Sequence, residues 1–214
     1  MTTIAPCITV ENEADYKSYV EAIAPFAQRV HIDMSDGELA STFLVGIDKL
    51  WWPTNWTVDV HAMVSRPSEY VQKLVSMRPN LITFHVECQE DLAQIIQYVK
   101  QNGVKAGIAL QKQTVPSTVE PLISMADHVM IFSGELGRYG GTASMMQLEK
   151  VRLVKRINAA VEIGWDGGVN VQNAFTLSQG GVDVLNVGGT IAKSDNPEET
   201  YKQLVAEINK QGVL

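Results

Sequence analysis

The sequence predicts an α/β fold, a single (β/α)8 TIM barrel spanning residues 1–214, and three observations carry that expectation. Eight short β-rich runs recur along the chain, apolar residues at helical spacing lie between them, and no Pro-, Gly- or Ser-rich linker interrupts the series. An open doubly wound sheet would show the same alternation. The barrel adds a specific demand: polar residues should gather where strands end and the following loops begin, because that face carries the site.

The runs are Ile4–Val10, Arg29–Met34, Thr57–Val64, Leu81–Glu87, Lys105–Leu110, His128–Ser133, Val161–Trp165 and Val182–Val187. Most are rich in Val, Ile, Phe or Trp, side chains that fit a pleated, buried surface. After the second run, Phe43 to Trp52 is the least regular stretch and reads as one short helix plus a loop. After the third, Pro67-Ser68-Glu69 places proline in a first helical turn. After the fourth, Leu92, Ile95, Ile96 and Val99 fall on one helical face, and after the sixth so do Leu148, Val151, Val154 and Ile157. Beyond the eighth, Asn196-Pro197-Glu198-Glu199 reads as an N-cap, a proline and two acids facing the helix dipole.

Composition narrows the function classes. Lys and Arg total 17 against 24 Asp and Glu, a net charge of -7, which disfavours nucleic acid and anionic membranes as partners. Two cysteines, Cys7 and Cys88, are too few for a disulfide framework, and the Met-Thr-Thr-Ile-Ala-Pro start lacks the basic and apolar blocks of a signal peptide. A cytoplasmic protein without a membrane span is expected. At this length roughly 70% of the unfolded surface can be buried, so a metal ion would serve chemistry rather than the fold.

The strand ends supply that chemistry. The second run ends His31-Ile32-Asp33, whose two-residue period points His31 and Asp33 to one side. The third carries His61 near its end, and the seventh is followed by Asp166. Closure would gather two imidazoles and two carboxylates at one mouth, a donor set suited to one divalent ion such as Zn, Mn, Fe or Co. A lone His or Asp at a strand end is usually a hydrogen-bonded loop residue; four at the expected places are a site. His85 is expected behind the ligands or in packing, His128 at the wrong end of its strand, Asp36 in a turn and Asp59 short of the mouth, while Glu87 can support the site from behind. Gly140-Gly141, Gly167-Gly168 and Gly188-Gly189-Thr190 follow the sixth, seventh and eighth runs. Glycine lets backbone N–H groups close on an oxyanion, so these loops are expected to hold a phosphate. Neutral donors of this kind can bind a small dianion even on an acidic chain.

In order along the chain, Ile4-Ala5-Pro6, His31-x-Asp33-x-x-Asp36-Gly37, Asp59-Val60-His61-x-Met63-Val64, His85-Val86-Glu87, Ala106-Gly107-Ile108-Ala109-Leu110, Asp166-Gly167-Gly168-Val169-Asn170 and Val187-x-Gly189-Thr190 resemble the ribulose-phosphate 3-epimerase family. The resemblance implies a metal-dependent (β/α)8 barrel that forms homo-oligomers, dimers or hexamers, and inverts C3 of a small phosphorylated sugar, D-ribulose 5-phosphate. It implies that His31, Asp33, His61 and Asp166 bind the metal, that Asp33 and Asp166 are the catalytic acid–base pair, and that Cys7, Met63, Gly140, Gly141, Gly167, Gly168, Gly189 and Thr190 contact substrate or phosphate.

The departures fall on the residues that cover the substrate. The family usually has Ser at Cys7, Met at Ser35, Phe-Val-Pro-Asn at Leu39-Ala40-Ser41-Thr42, and a further Met near Phe132. Its Asn-Pro-Gly-Phe-Gly-Gly-Gln loop is replaced by the longer Glu135-Leu136-Gly137-Arg138-Tyr139-Gly140-Gly141-Thr142. Arg138 is either a lid residue reaching an anionic substrate or an exposed loop arginine. The Trp51-Trp52-Pro53 and Trp56 cluster either caps a subunit interface or packs under the barrel's second helix. Alternatives to the pentulose-phosphate epimerase are an epimerase of another sugar phosphate, a non-catalytic phosphate-binding paralogue, and a barrel decarboxylase or aldolase. The last is disfavoured because no Asp-x-Lys stands at a strand end.

Overall fold

The computed structural model describes residues 2–210. Eight parallel strands close on themselves in sequence order: β1 (Thr3–Ile8), β2 (Arg29–Ser35), β3 (Thr57–Met63), β4 (Leu81–His85), β5 (Lys105–Leu110), β6 (His128–Phe132), β7 (Glu162–Asp166) and β8 (Val184–Val187). The helices are α1 (Glu13–Ile23), α2 (Val71–Ser76), α3 (Leu92–Gln101), α4 (Glu120–Met125), α5 (Leu148–Ile157), α6 (Ala174–Gln179), α7 (Gly189–Ala192) and α8 (Pro197–Ile208). The fold is therefore the (β/α)8 barrel, and the open sheet is excluded because β8 pairs with β1 through Thr3 to Pro6.

Strand periodicity sorts side chains into two sets. Val30, Ile32 and Met34 of β2, Val58, Val60 and Ala62 of β3, and Ile163 and Trp165 of β7 belong to the main apolar core between barrel and helices. Their alternates, His31 and Asp33, Asp59 and His61, Glu162 and Asp166, point into the barrel. The interior is tight: a Cβ on Gly164 would meet His128 Nε2 at 2.4 Å, and one on Gly107 would meet Thr83 Oγ1 at 2.5 Å.

Helix boundaries follow their caps. The Asp91 side chain accepts from Ala93 N–H to start α3, which buries Leu92, Ile96 and Val99 on one face, and the Asn196 side chain accepts from Glu199 N–H to start α8. Each such buried aliphatic side chain contributes about 1.5–3 kcal/mol. The stretch between β2 and β3 is the expected short helix plus a loop, the helix being a 3-10 turn, Ile47–Lys49. Leu44, Val45, Leu50 and Trp56 are buried there as irregular chain, so their spacing has no helical period. Tyr16 of α1 donates its hydroxyl to Trp51 O at 2.6 Å with the rings edge-on, and Trp52 packs on the core. Within the chain Trp56 is buried, while Trp51 remains 43% exposed. Among the described residues no helix is long and apolar enough to cross a membrane.

The lower end of the barrel is closed by charge. Arg29 donates to Asp59 at 2.6 Å and by both terminal nitrogens to Glu162 at 2.8 Å, while His128 Nδ1 lies 2.8 Å from Glu162 and Asn80 donates to Asp59. Asp59 and His128 are therefore far from the mouth, as their positions along the strands predict.

Candidate active site

The upper ends of β2, β3 and β7 bring His31, Asp33, His61 and Asp166 together, with one ligand atom from each within 4.8 Å of all the others. Register explains this: Asp33 pairs with His61 across β2 and β3, and Asp166 ends β7 beside Phe132 of β6. His61 Nδ1 lies 2.8 Å from Asp33 Oδ1 and 3.8 Å from Asp166 Oδ2; His31 Nε2 lies 3.2 Å and 3.9 Å from the same two atoms. His31 Nε2 is buried and has no properly directed hydrogen-bond partner.

A row of contacts leads back from this cluster. His61 Nε2 is 2.8 Å from His85 Nε2, and His85 Nδ1 is 3.1 Å from Glu87 Oε2. The other Glu87 oxygen accepts from Gln111 N–H and from the Thr114 hydroxyl. His85 and Glu87 thus stand behind His61, and Asp36 is held in a turn, accepting from Glu38, Leu39 and Ser65 N–H groups.

Proton counting along the row favours a cation. The contacts Asp33–His61, His61–His85 and His85–Glu87 each need a proton between their atoms, whereas two neutral imidazoles carry only two. A divalent ion on His61 Nδ1 and Asp33 takes the place of the third: His61 then donates Nε2–H to His85, and His85 donates Nδ1–H to Glu87. With the unpartnered His31 nitrogen and the mixed N and O donors, the residues fit such an ion.

Without a metal the two carboxylates diverge. Burial raises both, but the close His31 and His61 imidazoles, His61 by a hydrogen bond, outweigh it at Asp33 and hold that group well below the usual carboxylate range. At Asp166 burial dominates, aided by the nearby Asp33 charge, and lifts the group to about 7. Burial draws His61 down to about 4 despite Asp33, while at His31 the carboxylates of Asp33 and Asp166 overcome burial and raise it.

Above the cluster lies a cavity of about 260 Å³ with Asp33 and Asp166 in its lining. Its walls include every expected contact residue: Cys7, Met63, Gly140, Gly141, Gly167, Gly168, Gly189 and Thr190. Gly167 and Gly168 need their missing side chains, because a Cβ on Gly167 would come within 2.0 Å of Gly134 N and one on Gly168 within 2.1 Å of Ala143 N, and both have positive φ. Thr190 donates its hydroxyl to Val169 O at 2.6 Å. Met63 Sδ accepts from Gly137 N–H at 3.2 Å, pinning the loop after β6 from below. Cys7 is buried; burial and the Asp166 and Asp33 charges push its thiol up, so it is a neutral wall.

Sequence reasoning missed Thr9, Tyr139 and Lys193. All three line the cavity, and Thr9 donates its hydroxyl to Asp33 Oδ2 at 2.5 Å. The alternation of β1 carried a signal for Thr9, since Cys7 and Thr9 share the inward face. Arg138 is exposed, borders this cavity and a neighbouring one of about 430 Å³, and approaches Thr42 Oγ1 at 3.4 Å.

Known structures share this architecture. The fold matches 3-keto-L-gulonate-6-phosphate decarboxylase from Vibrio cholerae with a TM-score of 0.74 and 11% identity over 97% of each chain. It also matches 3-hexulose-6-phosphate synthase from Salmonella typhimurium with a TM-score of 0.71 and 14% identity, covering 97% of this chain and 98% of that one. At such identities the likeness concerns the fold alone. Sequence relatives are more specific. Ribulose-phosphate 3-epimerase from Helicobacter pylori (strain J99 / ATCC 700824) is 28% identical over 198 residues, 89% of this chain and 91% of that protein. Ribulose-phosphate 3-epimerase from Escherichia coli (strain K12) is 29% identical over 200 residues, 89% and 87% of the two chains. The model of the ribulose-phosphate 3 epimerase family matches residues 3–192, which takes in all eight strands and each of the four clustered residues, and the chain belongs to that family.

Proposed function

We propose that this chain is a metal-dependent epimerase that interconverts D-ribulose 5-phosphate and D-xylulose 5-phosphate by two-aspartate proton transfer. The observation that carries the reading is the convergence of His31, Asp33, His61 and Asp166 beneath a cavity walled by the glycine loops. His31, Asp33, His61 and Asp166 would hold one divalent ion, Zn, Mn, Fe or Co. When bound, it supplies Lewis-acid polarisation of the substrate carbonyl and the adjacent oxygen.

The remaining steps belong to the protein. The N–H groups of Gly140, Gly141, Gly168 and Gly189 and the first turn after β8 receive the phosphate, fixing C3 between the two carboxylates. Asp33 removes the C3 proton on one face, Asp166 returns a proton on the other, and the roles exchange in the reverse direction. Met63 and the loop above it exclude water from the enediolate between the two transfers. The chain is also read as a cytoplasmic homo-oligomer, a dimer or hexamer, on the family resemblance.

The test is solvent-proton exchange into D-ribulose 5-phosphate with added Mn, Zn, Fe or Co, in wild type, Asp33→Asn and Asp166→Asn. Wild type exchanges the C3 proton and both variants lose that activity. No exchange with any of these metals removes the pentulose phosphate as substrate, and full activity in either variant removes the two-aspartate mechanism.

A further inference from the structure

The loop after β6 crosses the mouth of the barrel and is fastened at its far side to the end of β1. Tyr139 makes that fastening. Its hydroxyl accepts the Thr9 N–H at 2.9 Å and donates to Cys7 O at 3.2 Å, both beside the point where β1 stops. Its ring lies against the loop after β8, where a Cβ on Gly188 would stand 2.7 Å from Tyr139 Cδ1. The phenol is largely buried, and burial keeps it protonated, so it serves as a fixed donor and acceptor rather than as an acid.

The residue it holds is the one that touches Asp33. Thr9 gives its N–H to Tyr139 and its hydroxyl to Asp33 Oδ2 at 2.5 Å, while Asp33 Oδ1 faces His61 and His31. One carboxylate oxygen therefore faces the ligand cluster, and the orientation of the other is set by a hydroxyl whose backbone is clamped from the lid. Charge-assisted O–H···O⁻ contacts of this length are the strong, directional kind. Gly140 and Gly141, which follow Tyr139 directly, belong to the proposed phosphate loops, so a phosphate drawn onto them pulls on the same clamp.

We propose that Tyr139 is a positioning residue that, through Thr9, couples closure of the loop after β6 to the orientation of Asp33. This rests on the epimerase reading for its consequence in turnover, but not for its consequence at Thr9 or for the metal. The contact chain makes three separable demands. Removing the Tyr139 hydroxyl must free the Thr9 amide, loosening Asp33 must weaken both proton transfer and metal binding, and the two residues must act in series.

The experiment compares wild type, Tyr139→Phe, Thr9→Val, Thr9→Ser and the double variant Tyr139→Phe/Thr9→Val. Amide hydrogen exchange at Thr9, Zn²⁺ affinity by titration calorimetry, and kcat and KM on D-ribulose 5-phosphate are measured for each. Tyr139→Phe is expected to speed Thr9 exchange about tenfold or more. It should also lower kcat and Zn²⁺ affinity by about 10-fold, the lower end for groups that orient a ligand, with a smaller change in KM. Thr9→Val should match those losses, Thr9→Ser should restore them, and the double variant should be no worse than Thr9→Val alone. Unchanged Thr9 exchange in Tyr139→Phe, an unaltered kcat and Zn²⁺ affinity despite faster exchange, or additive losses in the double variant each overturn the proposal. If wild type turns over no ketose phosphate, the epimerase reading fails while Thr9 exchange and Zn²⁺ affinity still decide the coupling.

Discussion

Replacing His85 by Leu tests whether the row behind the cluster serves metal binding. His85 is buried, stacks within 5.0 Å of His61 and 5.3 Å of Phe132, and receives nothing from solvent. With a metal on His61 Nδ1, the Nε2–H must donate to His85, so the Leu variant buries an N–H without an acceptor. A buried group left unpaired costs about 1–3 kcal/mol. At about 1.4 kcal/mol per decade, Zn²⁺ or Co²⁺ affinity should fall roughly 10-fold to 100-fold, because the penalty falls on the metal-bound tautomer. The metal-free chain avoids it by turning the His61 proton to Nδ1 and Asp33. His85→Gln, whose amide oxygen can accept the Nε2–H, should recover part of the affinity. The assay is titration calorimetry with metal alone, with thermal unfolding run beside it to separate lost affinity from lost fold. A folded His85→Leu protein with wild-type affinity would refute the proton accounting and with it the role given to His85 and Glu87.

Further expectations follow from single contacts. Lys193 folds its side chain to within 4.0 Å of the position a Cβ would take on Gly189 and lines the cavity, so Lys193→Met should raise KM for a sugar phosphate about 10-fold with little change in kcat, read by steady-state kinetics. Arg138→Ala should raise KM about 3-fold to 10-fold if its guanidinium meets the substrate, and an unchanged KM assigns it to the exposed loop. Arg29→Met leaves Asp59 and Glu162 without their shared cation and should cost about 3–5 kcal/mol in urea unfolding, the range for breaking a buried pair. At Glu162, burial is outweighed by hydrogen bonds from Arg29 and His128, which hold its carboxyl below the usual range. Its stabilising contribution is thus present above the unfolded value of roughly 4.3 and is lost as pH falls from there through the folded value; Glu162→Gln should flatten the acid limb of the stability curve.

The barrel and its four clustered residues were legible because each depends on a short-range rule. β-rich runs repeat, and the two-residue period places His31 with Asp33. What the sequence hid depends on the closed three-dimensional path of the loops. Tyr139 stands 130 residues from the Thr9 amide it accepts from, and no local pattern links them. Lys193 comes to the cavity only because the short α7 turns its side chain back over Gly189. The extent of the short helix after β2 was hidden for another reason: around the turn Ile47–Lys49, Leu44, Val45, Leu50 and Trp56 pack as irregular chain, so burial there carries no period to read.

The two ends of the barrel show why ligand binding belongs at one of them. At the lower end every buried charge has its complement, since Arg29 spans Asp59 and Glu162, and His128 and Asn80 take the remaining positions. The charges at that end are matched among themselves. At the upper end two carboxylates and two imidazoles face one another with no lysine or arginine among them, one imidazole nitrogen lacks a partner, and the row to Glu87 is a proton short. Buried charge left uncompensated is expensive; without an ion the cluster offsets it by lifting Asp166 to about 7 and raising His31, and an external cation would complete the set directly. A dianion is repelled by the carboxylate charge beneath the cavity, and a cation there would offset it, so phosphate binding at the glycine loops should tighten when the metal is present. Inorganic phosphate titrated against protein with and without Zn²⁺ measures that dependence, and equal affinities in the two states would break the electrostatic link between the cluster and the loops.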